Sequence, residues 1–169
     1  MARTKKLYSC NNHQPDPIYA SRWIPMIHQR LMRHGKKKLA YSILQKSLNN
    51  IKNQTQQDPI LIIEKAIRNT TPSIKIQKRR KGGTVYPIPM ELQMDQGALA
   101  AVGWILMAAK KRSGRTLAIN LANEFIDASK KLGMAFYKKE EIHKIADANI
   151  RSKNKNWNKS KVSVNQKKK

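Results

Sequence analysis

"SIKIQKRRKGGTVYPIPMEL", Ser73 to Leu92, interrupts a chain that is otherwise patterned for helices. Ile74 and Ile76 alternate with Lys75 and Gln77, and beyond Gly82-Gly83 the residues Tyr86, Ile88, Met90 and Leu92 alternate in the same way. Period-two patterning on both sides of a two-glycine turn predicts a β-hairpin. Pro87 and Pro89 stand against it, because proline cannot donate to a ladder. Their spacing of two puts both missing N–H groups on the same edge, and a two-stranded ribbon leaves that edge unpaired. The prolines then also block addition of a further strand. Two expectations follow: the ribbon has an apolar face that needs cover, and its tip carries Lys78-Arg79-Arg80-Lys81.

The flanking sequence reads as six helices, three on each side of the hairpin. "SRWIPMIHQRLMRHG" (Ser21–Gly35) predicts the first, with Ser21 as cap, Pro25 near the first turn and Gly35 as the stop. Leu39, Ile43, Leu44, Leu48 and Ile51 keep a helical period through the second. "DPILIIEKAIRNTTP" supplies Asp58 as N-cap, Pro59 at the first helical position and Pro72 as the break. Residues 96–112 are apolar around most of the circumference and predict a central, buried helix. "RTLAINLANEFIDASKKLG" repeats Leu117, Leu121, Phe125 and Leu132 on one face and ends at Gly133. Leu106, Leu117, Leu121 and Phe125 are the expected core. The last helix, "KKEEIHKIADAN", opens at Lys138-Lys139 and carries Ile142, Ile145 and Ala146.

The length of 169 residues suits one domain with a modest core, and 40% hydrophobic residues are too many for a wholly unfolded chain. The expected division is a basic arm over 1–15, a helical domain over 16–150 with the hairpin at about 73–92, and a Lys/Asn-rich extension over 151–169. Both ends are too poor in apolar residues to fold alone and read as segments that order on a partner. Lys and Arg total 35 against 10 acidic residues, a net charge of +25. Self-repulsion of that size favours a bound polyanion. The only cysteine is Cys10, so no disulfide framework exists. Met1 to Pro17 has no apolar centre and so no secretory character. The longest apolar run, Ala98–Ala109, is well short of the ~20 residues of a membrane span.

No catalytic constellation is visible, and the expectation is that the chain is not an enzyme and needs no cofactor. Cys10 and His13 have a metal-like spacing, but two ligands do not make a zinc site. Glu140 and Glu141 suit the first turn of a helix better than a paired-carboxylate site. Lys81-Gly82-Gly83-Thr84 lacks the rest of a phosphate loop. The cations cluster instead: Lys36-Lys37-Lys38, the hairpin tip, Lys110-Lys111-Arg112 with Arg115, and Lys138-Lys139 all fall at connections between elements. Any one run could be a solvated face. Together they point to contacts with nucleic-acid phosphates, which position a protein without reading sequence. Charge alone leaves DNA and RNA open, and an architectural DNA binder using the hairpin as an arm fits as the alternative.

Specific motifs go further. "DPIY" (Asp16–Tyr19), "HGKKKLAY" (His34–Tyr41), Thr71-Pro72 and "RRKGGTVYPIP" (Arg79–Pro89) are followed in order by "GWILMAAKKRSGRTLAINLANEFIDA" (Gly103–Ala128) and "KKEEIHKIADAN" (Lys138–Asn149). Over about Asp16 to Asn149 the chain resembles the bacterial-type small-subunit ribosomal protein seven family, its plastid-like members in particular.

The resemblance implies a mainly α, six-helix domain with a β-hairpin protruding between the third and fourth helices. It also implies a structural protein that binds small-subunit ribosomal RNA and nucleates the 3′ major domain, the head. Head and platform proteins would be its neighbours, with messenger RNA and exit-site transfer RNA close by. Neither a membrane nor a second copy of the chain would be a partner. By position, the RNA-facing residues would be Lys36, Lys37, Lys38, Lys75, Lys78, Lys110, Lys111, Arg112, Arg115, Lys138 and Lys139. Arg3, Lys5 and Lys6 of the arm would thread into RNA, and Arg79, Arg80, Lys81, Gly82 and Gly83 would lie nearest the messenger and transfer RNA. Two departures stand out. Gly103 precedes Trp104 where many members have Arg, so one expected contact is missing, and "IRSKNKNW" with a Lys-rich tail replaces the usual aromatic, basic ending. Divergence of this kind, with the Lys/Asn bias, points to an organellar ribosome, with the bacterial cytoplasm as the alternative.

Overall fold

The computed structural model describes residues 16, 19–81 and 83–149; the N-terminal arm with Arg3, Lys5 and Lys6, the Cys10–His13 pair, Gly82 and the C-terminal extension lie outside the described residues. The chain runs α1 (Trp23–Leu31), α2 (Lys37–Thr55), α3 (Pro59–Thr70), β1 (Ile74–Lys81), β2 (Thr84–Glu91), α4 (Met94–Lys111) and α5 (Leu117–Ser129). A sixth helix, α6, covers residues 134–149. This is the mainly α architecture with a hairpin between the third and fourth helices. Among the described residues no helix is long and apolar enough to cross a membrane.

Local chemistry sets most boundaries. Asp58 caps α3 by accepting the Ile60 N–H at 3.1 Å, with Pro59 at the first helical position. Thr116 caps α5, its hydroxyl accepting the Ile119 N–H at 3.4 Å. At α1 the expectation fails by one residue: Arg22 is the boundary residue, while the Ser21 hydroxyl accepts the Trp23 N–H at 3.3 Å from one position further out. The helix also stops at Leu31, before Gly35. His34 and Gly35, at φ 51° and 73°, shape the turn into α2.

α5 is the axis of the bundle, packed against α2, α3 and α4. Leu121 and Phe125 on α5 and Leu106 on α4 are buried as predicted, whereas Leu117 is half-buried at the edge of the core. α4 presents Ala98, Ala101, Ala108 and Ala109 inward, small residues that let its neighbours approach closely. At its start, a Cβ on Gly97 would lie 2.8 Å from the Pro72 carbonyl oxygen, so the exit of α3 rests directly on α4.

Three residues of the predicted apolar helix pattern are exposed: Leu39, Leu132 and Ile145. The buried line of α2 is Ala40, Leu44, Ser47, Leu48 and Ile51, which places Leu39 a third of a turn off it. α5 ends at Ser129, and Lys131 at φ 61° turns the chain before Leu132 can join the helical face. α6 starts at residue 134, so Lys138 and Lys139 lie in its second turn and do not open it; Ala146 is buried while Ile145 faces out.

The hairpin pairs Ile74 with Glu91, Ile76 with Pro89, Lys78 with Pro87 and Arg80 with Val85, and closes at Lys81 and Thr84. Gly83 in the turn has φ 85°, and a Cβ there would meet nothing within 4 Å, so conformation rather than space requires the glycine. The Leu92 N–H donates to the Ser73 carbonyl at 2.9 Å. Counting inward from that bonded pair, 76–89 and 78–87 fall at the alternate, non-bonded positions. The two proline nitrogens therefore point to the outer edge, as expected. The single apolar face does not exist, however. Even-numbered residues of β1 oppose odd-numbered residues of β2, so Ile74 and Ile76 share a face with Lys78 and Arg80. Ile88 and Met90 share the other face with Lys75 and Arg79. The strands pack chiefly on each other, and only the base meets the helices, across a groove of about 500 Å³ lined by Ile74, Ile76, Leu92 and Trp104.

Phe125→Ala should destabilise the fold by about 3–5 kcal/mol in reversible urea unfolding, because a fully buried ring would leave a cavity at the axis of the bundle. Leu39→Ala and Leu132→Ala should each stay within about 0.5 kcal/mol of the parent. A loss at Leu39 comparable to that at Phe125 would refute this assignment of helix faces.

Candidate nucleic-acid interface

Tertiary structure divides the predicted cations into two groups. Lys36, Lys37, Lys38, Lys75, Lys78, Arg79, Arg80, Lys110, Lys111, Arg115 and Lys138 are exposed. None of them is ion-paired: among the described residues the pairs are Arg22–Asp95 at 3.7 Å, Arg68–Glu64 at 3.1 Å, and Arg112 with Glu124 and Asp127. Lys36 to Lys38 occupy the boundary and first turn of α2, which has neither a side-chain cap nor an acidic residue there. Cations at that end add to the positive pole of the helix dipole, and a phosphate would be drawn by both.

Lys110 and Lys111 sit in the last turn of α4, where the dipole favours positive charge. The Lys110 ammonium is nevertheless pushed below the ordinary lysine range, first by partial burial and then by the nearby charge of Arg33. Lys138 places its ammonium 5.9 Å from the ring centre of half-buried Trp104, a cation–π contact across α4 and α6. The hairpin tip adds cations on both faces of the ribbon.

Arg112 and Lys139 belong to the second group. Arg112 Nε donates to Glu124 Oε2 at 2.7 Å, and its Nη2 donates to Asp127. Partial burial works against this charge, but the two carboxylates outweigh it and raise the guanidinium pKa further. The Lys139 ammonium donates to the Asn69 carbonyl at 2.6 Å, near the C-terminus of α3, and partial burial is the main reason its pKa is lowered. Both groups are turned toward internal partners, unlike the rest of their runs. Conversely, the cluster reading omits Arg30 and Arg33, both exposed at the end of α1. They occur singly, so no run announces them.

Among the described residues no group of three or more His, Cys, Asp or Glu side chains could hold a metal ion. What the arrangement can do is bind anions along a broad surface.

Arg112→Met should cost roughly 3–5 kcal/mol of stability, because it strands the buried Glu124 carboxylate without its partner. Lys111→Ala and Arg115→Ala should change stability by less than about 0.5 kcal/mol. Equal, small effects of all three in urea unfolding would show that Arg112 has no internal role.

Comparison with known proteins agrees with the architecture. Residues 3–150 match the family described as Ribosomal protein S7p/S5e. The chain is 47% identical over 135 residues to small ribosomal subunit protein uS7c of Chlorella vulgaris, covering 80% of this chain and 86% of that protein. It is 46% identical over 147 residues to the uS7c protein of Tupiella akineta, covering 87% and 92% respectively. The corresponding protein of Nephroselmis olivacea is 43% identical over 134 residues, covering 79% and 86%. With its helical order, its hairpin and nearly its whole folded length accounted for, the chain belongs to the ribosomal protein S7p/S5e family.

Proposed function

We propose that this protein, by family a structural constituent of the small ribosomal subunit and not an enzyme, binds small-subunit ribosomal RNA and organises its 3′ major domain. The observation that carries the reading is the set of exposed, unpaired cations at the ends of helices and along a projecting hairpin. Such a surface neutralises phosphates over a wide area and leaves sequence choice to the folded shape of the RNA. Its relatives bear the name uS7c, and the chain is accordingly assigned to an organellar ribosome.

The hairpin is assigned a second role beside the messenger path and exit-site transfer RNA. Its strands pack mainly on each other, and Lys78, Arg79 and Arg80 toward its tip are exposed, which suits an element that reaches past the primary RNA site. Neighbouring head and platform proteins complete the set of partners. An architectural DNA-binding role would need the same charges, but family membership favours RNA.

Replacing Arg79, Arg80 and Lys81 together by Ala should leave stability nearly unchanged and weaken binding to a 3′ major domain RNA fragment. The log–log dependence of affinity on salt should flatten by roughly 2–3 units if all three contacts release counterions at ~0.7–0.9 per phosphate. A smaller flattening, together with lost exit-site transfer RNA binding on whole subunits, would assign part of the tip to transfer RNA. Wild-type behaviour in both assays would rule out a binding role for the tip.

A further inference from the structure

We infer that Arg30 of α1 is a phosphate-contacting residue of the RNA surface and that Gly103 of α4 provides the space in which its guanidinium lies. The inference rests on the RNA-binding reading above. Gly103 lies inside a long helix, where glycine is unfavourable relative to alanine, and its φ is not positive. The backbone therefore does not require it. Space does: a Cβ at Gly103 would run into Arg30 Nη1 and lie 3.3 Å from Arg30 Cζ.

The same Nη1 donates to the carbonyl of Leu99, one turn earlier on α4. This bond holds the guanidinium against α4 beside Gly103. The residue stays exposed, and among the described residues no carboxylate pairs with it, so its other N–H groups are open.

The surroundings are cationic. Lys110 lies two turns beyond Gly103 on nearly the same face of α4, and Arg33 at the end of α1 is close enough to act on it. Arg30, Arg33 and Lys110 thus form a ridge where α1 crosses α4, with no ion-pairing acid among the described residues to offset their repulsion. The planar fork of an arginine held in one orientation suits a phosphate of the RNA backbone.

The test uses the full-length chain and a 3′ major domain RNA fragment, with affinity measured across a salt series and melting followed in parallel. Arg30→Ala should weaken binding by about tenfold and flatten the log–log salt slope by roughly 0.7–0.9. Gly103→Ala should reproduce that loss by displacing the guanidinium, with the melting temperature held or raised. The double variant should bind no more weakly than Arg30→Ala alone, since the two changes remove one contact. A lower melting temperature for Arg30→Ala with an unchanged salt slope would mean that Arg30 merely clasps α1 to α4, and wild-type affinity for Gly103→Ala would overturn the assignment of the glycine. The triple variant Lys36→Ala, Lys37→Ala, Lys38→Ala runs beside them. If it loses affinity and Arg30→Ala does not, the Arg30 inference alone fails; if neither loses affinity, the RNA-binding reading fails with it.

Discussion

The carboxylate of Glu124 holds together the half of the molecule that follows the hairpin. It is fully buried in a chain with 10 acidic residues against 35 Lys and Arg. Its Oε2 accepts Arg112 Nε at 2.7 Å from the exit of α4, and its Oε1 accepts the Ala135 N–H at 3.1 Å in the first turn of α6. One side chain on α5 therefore ties the end of α4 to the start of α6, and it sits at the positive pole of α6. A buried carboxylate is tolerable only with its oxygens satisfied, and here both are. The α5–α6 turn is shaped to the same need: Gly133 has φ 92°, and a Cβ there would stand 3.0 Å from Glu124 Oε1.

A second tie joins α3 to α5 and α6. Asn69 Nδ2 donates to the carbonyls of Ala128 and Ser129 at 3.1 and 2.9 Å, adding to the Lys131 N–H that the Ala128 carbonyl accepts at 3.1 Å. The Asn69 carbonyl in turn accepts from Lys139 on α6 at 2.6 Å. Among the described members of the predicted cation runs, Arg112 and Lys139 are thus used inside the fold, while Lys36, Lys37, Lys38, Lys110, Lys111, Arg115 and Lys138 are exposed around a bundle whose helix ends are fixed. On the proposed reading this separation is what lets a net charge of +25 serve binding without loosening the core.

Patterns local in sequence were legible. Helical periodicity, Asp58 and Pro59 at the start of α3, and the Gly-Gly turn with prolines on the outer edge all express near-neighbour chemistry. What failed depended on partners distant along the chain. Arg112 is the third cation of a run whose first two members face outward, and its role is set by Glu124 and Asp127, 12 and 15 residues on. Lys139 is drawn in by a carbonyl 70 residues earlier. Leu39 and Leu132 fit a helical period yet are exposed, Leu39 because it stands a third of a turn off the buried line of α2 and Leu132 because α5 ends before it. The shared apolar face of the hairpin was misread for a related reason: alternation within each strand does not reveal register, and the register here puts the apolar sets on opposite faces.

That register bears on how the hairpin is used. A ribbon with one dry face would be expected to fold back and bury it on the bundle. Here both faces mix aliphatic and cationic residues: Ile74 and Ile76 stand with Lys78 and Arg80 on one, Ile88 and Met90 with Lys75 and Arg79 on the other. Folding either face down would desolvate charges that have no acidic partner among the described residues, which costs more than the aliphatic contacts return. The ribbon accordingly stays extended from its base, and its outer edge is closed to strand addition by Pro87 and Pro89. A lone two-stranded ribbon is only marginally stable in water. On the proposed reading, phosphates on both sides would relieve the repulsion at its tip and brace it, so the mixing of charge into both faces that keeps the ribbon from folding down is also what would suit it to RNA.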